Sequence, residues 1–131
     1  GGKYDAAGGK YDAAGGKYDA ACHGAIQRSG FLFKVGGKKA VKSHWQRRYV
    51  VLRERALLYY RTKPKQDTDK FAGSVLRKHI EGSEALDDHH KRYAYCFCVV
   101  THERTFYFAA EDDSDRVQWL LALSSAANDN E

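Results

Sequence analysis

The chain has 131 residues and a formal net charge of +5 at pH 7. This length allows one ordinary domain with a single hydrophobic core and little more. No apolar run approaches the roughly 20 residues that a membrane-spanning helix needs, so a transmembrane helix is excluded.

The chain begins with three identical copies of the heptapeptide GGKYDAA, in residues 1–21. Natural repeats diverge in sequence, and the glycine pairs oppose a stable helix. We therefore interpret residues 1–21 as an engineered leader or expression tag, and residues 22–131 as the domain. We expect the leader to contribute nothing to the domain core.

Short runs of aromatic, aliphatic and β-branched residues predict strands over most of the domain. These runs are 31–35, 48–52, 57–61, 73–76, 83–86, 93–100 and 105–110. From Asp112 onward the apolar residues recur at spacings of three and four, which predicts a helix over about 113–125 with Asp112 as its N-cap. Trp119 is expected to be buried.

Seven short strands followed by one helix predict a mainly β fold. The expected architecture is a partly open seven-stranded barrel of two packed antiparallel sheets, capped by the C-terminal helix. With Trp119 closing one mouth of such a barrel, the other mouth and its loops are left for function.

The stretch from Gly30 to Tyr49 is strongly basic. No acidic residue occurs between Asp19 and Glu54. The basic residues of that interval are Arg28, Lys34, Lys38, Lys39, Lys42, Arg47, Arg48 and Arg53. A predicted hairpin with a cationic tip and no counter-charge indicates an anion-binding site.

The sequence resembles the pleckstrin homology (PH) domain family, in order and spacing, over nearly all of residues 28–127. The matching segments are SGFLFK (29–34), WQRRYVVL (45–52), LLYY (57–60), GSVL (73–76), RTFYFAA (104–110) and the helical run through Trp119. The resemblance implies a phosphoinositide site that uses a lysine ending the first strand, an arginine in the second, a tyrosine in the third and the basic loop. The corresponding residues are Lys34, Arg48, Tyr59, Lys38, Lys39 and Lys42.

These residue types suit the chemistry that the resemblance implies. Arg48 can bind two phosphate oxygens with its forked guanidinium, whereas lysines act as point charges. Tyr59 offers a neutral hydroxyl donor. Strong lipid-binding members have a basic residue where this chain has Gln46, and some have one at the position of Ala72. We therefore expect weak to moderate binding with limited discrimination among headgroups.

The residues leave other functions to be considered. A protein-interaction module of the same fold with little lipid binding stays open. Nucleic-acid binding is less favoured. Basic charge and stacking of single strands on aromatic residues would serve it, and the candidate aromatic residues are Tyr59, Tyr60, Tyr93 and Tyr95. The spacing of His89, His90, Cys96, Cys98 and His102 is poor for zinc.

The overall expectation is a non-catalytic membrane-targeting or adaptor module of a larger signalling or trafficking protein. No catalytic residue set is visible, and no cofactor or metal is expected. Three cysteines with no suitable pairing indicate reduced thiols, and so a cytoplasmic, peripheral membrane location. The expected partners are a phosphoinositide-containing membrane surface and, in the alternative, a protein.

Overall fold

The structure is a computed structural model that describes residues 19–35, 44–86 and 93–129. A 3-10 turn, Ala20–His23, precedes the first strand, and a second one, Arg77–His79, follows the fourth. The strands are β1 (Ile26–Val35), β2 (Trp45–Arg53), β3 (Ala56–Tyr60), β4 (Gly73–Leu76), β5 (Ile80–Ala85), β6 (Tyr95–Thr101) and β7 (Thr105–Ala110). One helix, α1 (Asp113–Asp129), comes last.

The seven strands form one antiparallel sheet in the order β4-β3-β2-β1-β7-β6-β5, which is not closed. The predicted fold class is confirmed. The predicted bounds of β4 and β7 are correct to the residue. β1 and β2 begin earlier than predicted, at polar residues that the apolar pattern does not mark.

The chain divides into two compact units. Of the described residues, the first unit contains 19–30 and 48–77, and the second contains 31–35, 44–47, 78–86 and 93–129. Strands β1 and β2 therefore contribute residues to both units.

In the second unit, α1 packs against β5, β6 and β7. The Asp112 carboxylate accepts a hydrogen bond from the Asp115 N–H at 2.8 Å, which confirms Asp112 as the N-cap. Trp119 is only 1% exposed, as predicted. In the sheet beneath, the rings of Phe97 and Phe108 stack with their centroids 5.5 Å apart.

In the first unit, β3 and the last four residues of β2 are largely buried on both faces. Consecutive residues along each strand are buried, although neighbours in a strand point to opposite faces. Both faces of this part of the sheet therefore need cover. On one face a hydrophobic cluster forms around Val51, Leu58 and Tyr60, with Phe71 and Ala20 packed against them.

The segment 19–25 supplies part of that cover. The Asp19 carboxylate accepts the Ala21 N–H at 2.9 Å, and the Ala20 N–H donates to the Asp67 carbonyl at 2.9 Å. The Arg53 guanidinium donates to the Gly24 carbonyl at 2.6 Å. Ala20 is fully buried. The expectation that residues 1–21 contribute nothing to the core is therefore wrong at the end of the third repeat.

The imidazole of His23 makes the packing of this segment sensitive to pH. Partial burial lowers the pKa of His23 below its usual 6.5, and the charges of Arg55 and Arg53 lower it further. The folded protein thus favours the neutral ring, and the unfolded chain binds the proton more readily. The contribution of His23 to stability is present above pH 6.5 and is lost as the pH falls through the lowered pKa.

We expect the free energy of unfolding to fall between about pH 7 and pH 5, and to fall less in His23→Gln. Urea unfolding of both proteins across this range measures the difference. Parallel pH profiles for the two proteins would contradict the assignment to His23.

Candidate functional site

Lys34 lies near the end of β1, in the second unit, and is only 6% exposed. It shares a strand face with Leu32, which is 2% exposed, so the side chain points to the core side of the strand. Its Nζ lies 3.4 Å from the Val35 carbonyl oxygen and 5.7 Å from the centroid of the Phe106 ring. Buried lysines are rare in proteins because desolvating an ammonium is costly.

Arg48 and Tyr59 lie in the first unit, on neighbouring strands. Val50 pairs with Tyr59, and Arg48 is two residues from Val50, so the two side chains share one face of the sheet. Both are half-buried. The predicted arginine and tyrosine are thus brought together by the register of β2 and β3.

The Tyr59 ring is positioned by a glycine on the next strand. Tyr59 pairs with Gly73 of β4, and a Cβ built on Gly73 would collide with the Tyr59 hydroxyl and ring. Any larger residue at this position would displace the tyrosine. Gly73 therefore allows the Tyr59 side chain to lie across β4.

The structure gives less information on the other residues considered for phosphate binding. Lys38, Lys39 and Lys42 lie outside the described residues. Gln46 and Ala72, where a basic residue would strengthen a phosphate site, are both exposed. Arg47 is exposed and lies over the Phe31 ring at 3.8 Å, on the opposite strand parity from Arg48.

Two arginines of the first unit are buried, although the sequence does not distinguish them from surface residues. Arg53 is 6% exposed and pairs with Asp67 at 2.6 Å. Arg77 is 5% exposed and donates to the Arg53 carbonyl at 2.8 Å and to Gln27 Oε1 at 3.0 Å. Both arginines bind backbone or side-chain oxygens of their own unit, so their role is structural.

The first unit also has an open cavity of about 360 Å³ beside the loop between β3 and β4. Its lining includes Tyr60, Arg61, Lys70 and Phe71, and none of the predicted phosphoinositide ligands. Burial raises the pKa of Tyr60 to about 12, so its hydroxyl stays protonated at neutral pH.

The structure does not support some of the residues considered for nucleic-acid binding or for a zinc site. Tyr60 is 3% exposed and is not accessible to a stacked base. His79 and His102 lie edge to face at 5.4 Å, but the described part of the chain contains no group of three metal-binding side chains. His89 and His90 lie outside the described residues. None of the described helices is long and apolar enough to cross a membrane.

Comparison with known proteins gives a consistent picture. The sequence profile of the PH domain matches residues 26–128. The chain is 31% identical over 96 residues to a PH domain-containing protein of Dictyostelium discoideum, covering 73% of this chain and 20% of that protein. It is 30% identical over 110 residues to human Sesquipedalian-1, covering 82% of this chain and 41% of that protein. The chain thus spans only about a fifth to two fifths of these relatives.

Solved structures share the fold. The crystal structure of the C-terminal PH domain of pleckstrin matches with a TM-score of 0.63 at 21% identity, over 79% of this chain and 98% of that one. The solution structure of the N-terminal PH domain of human ARAP2 matches with a TM-score of 0.61 at 25% identity, over 79% and 81% of the respective chains.

Proposed function

The chain belongs to the PH domain family, and from this premise we propose that it binds anionic phosphoinositide headgroups at a membrane surface. The proposed ligands are Lys34, Lys38, Lys39, Lys42, Arg48 and Tyr59. In this proposal the domain is a non-catalytic targeting module of a larger signalling or trafficking protein, acting as a peripheral membrane domain on the cytoplasmic side.

The observation that carries the proposal is the buried ammonium of Lys34. It is the penultimate residue of β1, and only Val35 separates it from segment 36–43, which contains three lysines and no acid. A buried cation that is followed along the chain by three lysines supplies the kind of charge that a multiply phosphorylated ligand requires. Arg48 and Tyr59 add a forked donor and a hydroxyl on one shared strand face.

One neighbour in fold binds a ligand of this chemical class. The C-terminal PH domain of pleckstrin has been solved in complex with an inositol pentakisphosphate, and it matches this chain with a TM-score of 0.59 at 22% identity. That likeness shows the fold only. Gln46 and Ala72 favour limited discrimination among phosphate positions, because both positions lack a cationic donor.

We expect Arg48→Ala to weaken binding to phosphoinositide-containing liposomes by about tenfold or more, since a charge-assisted contact is worth roughly 1.5–3 kcal/mol. Co-sedimentation at low and physiological salt measures it. Arg48→Lys keeps the charge and should fall between wild type and Arg48→Ala, because only the fork is lost. Arg61→Ala removes an exposed charge of the same unit and is the control.

Equal binding by wild type and Arg48→Ala would show that the attraction is surface charge alone. A wild type that binds neither phosphoinositide nor phosphatidylserine liposomes at low salt would favour the second candidate function, protein binding. That candidate rests on Val117 and Leu121 of α1, which are 42% and 59% exposed and lie one helical turn apart.

A further inference from the structure

Three aromatic side chains of the second unit, Phe33, Tyr93 and Trp45, form a chain of ring contacts. Phe31 lies on the same face of β1 as Phe33, and we call these four residues the aromatic patch. The Trp45 and Tyr93 rings stack at 4.8 Å with an interplanar angle of 22°. The Phe33 ring lies 5.0 Å from that of Tyr93. All four residues are half-buried, so each keeps part of its surface exposed to solvent.

The patch lies on the strand face opposite to Lys34. Phe31 and Phe33 alternate with the buried Leu32 and Lys34 along β1, and neighbouring residues point to opposite faces. The exposed Arg47 guanidinium over Phe31 adds a cation to the patch. These aromatic rings are therefore no part of the ligand set proposed above.

We propose that the aromatic patch inserts into the headgroup region of an anionic bilayer when the domain docks. Trp and Tyr are suited to this depth, because each combines an apolar ring with a polar N–H or O–H group. Arg47 supplies the positive charge that anionic lipid attracts. Val35 ends β1 and Trp45 begins β2, so the patch also adjoins the lysine-rich segment along the chain.

The stacking geometry favours a bilayer over single-stranded nucleic acid. A base needs an open ring face, whereas Trp45 and Tyr93 already turn a face towards each other. Insertion into a lipid interface needs only ring edges and polar tips. The proposal rests on the proposed membrane function and adds the contact that separates a bilayer from a soluble headgroup.

Tryptophan fluorescence tests this directly, because the chain has only Trp45 and Trp119, and Trp119 is 1% exposed. We expect a blue shift of the emission with equimolar phosphatidylcholine and phosphatidylserine vesicles, and quenching by phosphatidylcholine brominated near the headgroup. Soluble inositol hexakisphosphate should cause neither change. Trp45→Phe, which keeps an aromatic ring, should abolish both changes.

Affinity gives an independent readout. We expect Trp45→Ala to bind the same vesicles about tenfold more weakly, because truncation removes the aromatic ring surface that would otherwise be buried in the bilayer. Leu121→Ala removes an exposed apolar side chain of α1 and should bind as wild type does. Circular dichroism of each variant verifies that the fold is retained.

Suppose that the protein binds vesicles and that Arg48→Ala weakens this binding, but that the Trp45 emission does not change on binding. This result would overturn the patch assignment and leave the proposed function standing. Failure to bind any anionic vesicle would overturn both. A larger emission change with a single-stranded oligonucleotide than with vesicles would assign the patch to nucleic acid instead.

Discussion

Trp119→Ala is expected to lower the free energy of unfolding by about 3–5 kcal/mol. Trp119 is 1% exposed on the face of α1 that packs against β5, β6 and β7. Truncation removes the largest side chain of that contact and leaves a cavity that the sheet cannot refill, because neighbouring side chains are already close-packed. A loss of this size is a large fraction of the stability of a small domain.

Urea unfolding followed by circular dichroism measures the change, with Val117→Ala as the control on the same helix. Val117 is 42% exposed, so its truncation should change the free energy of unfolding by less than about 0.5 kcal/mol. Similar losses in the two variants would mean that α1 is held by its helical propensity rather than by the Trp119 contact.

The fold could be predicted because the local patterns agree with one another. The short runs rich in β-branched and aromatic residues at Gly73–Leu76 and Thr105–Ala110 coincide with the observed strands. The change from strand to helix period at Asp112 locates α1, and the side chain of Asp112 does cap it. Periodicity is a local property, so it can be read from one sequence.

The candidate site could be predicted only in part. Strand parity correctly places Arg48 and Tyr59 on one face, because a period of two needs no tertiary information. Parity does not decide the direction of Lys34, since both faces of β1 carry apolar residues. Only the packed structure shows that Lys34 is buried and that Phe31 and Phe33 lie on the opposite face.

The buried arginines could not be predicted, because their burial depends on segments far away in sequence. Arg77 lies in a polar run typical of a solvated face, yet it donates to Gln27 and to the carbonyl of Arg53. Arg53 in turn holds the carbonyl of Gly24. Such long-range hydrogen bonds leave no periodic signal along the chain.

The contacts of the N-terminal segment are the clearest case of long-range packing that the sequence does not reveal. Perfect repetition indicates an added leader. Repetition in the sequence, however, carries no information about which residues the repeat contacts in the folded chain. The run Val50-Val51-Leu52 and the run Leu57-Leu58 do carry a signal, since strands that read as continuous apolar runs need cover on both faces. The sequence does not show that Ala20 supplies part of this cover.

Ala20→Asp is accordingly expected to destabilise the protein by roughly 3 kcal/mol, whereas Ala21→Asp should be nearly neutral. Both alanines belong to the third repeat, but Ala20 is fully buried and Ala21 is exposed. A carboxylate at position 20 would face Leu58 and Phe71 without water. Undocking of segment 19–25 would avoid that burial, but would expose the same apolar cluster.

Urea unfolding of the two variants at neutral pH measures the difference, and their shared chemistry and adjacency cancel any effect on the unfolded chain. Equal stability of Ala20→Asp, Ala21→Asp and wild type would mean that the end of the repeat does not pack on the domain in solution. Selective destabilisation by Ala20→Asp would instead place the working boundary of the domain before Asp19, because the hydrogen bonds from Arg53 and Arg55 to the Gly24 and Cys22 carbonyls hold the same segment.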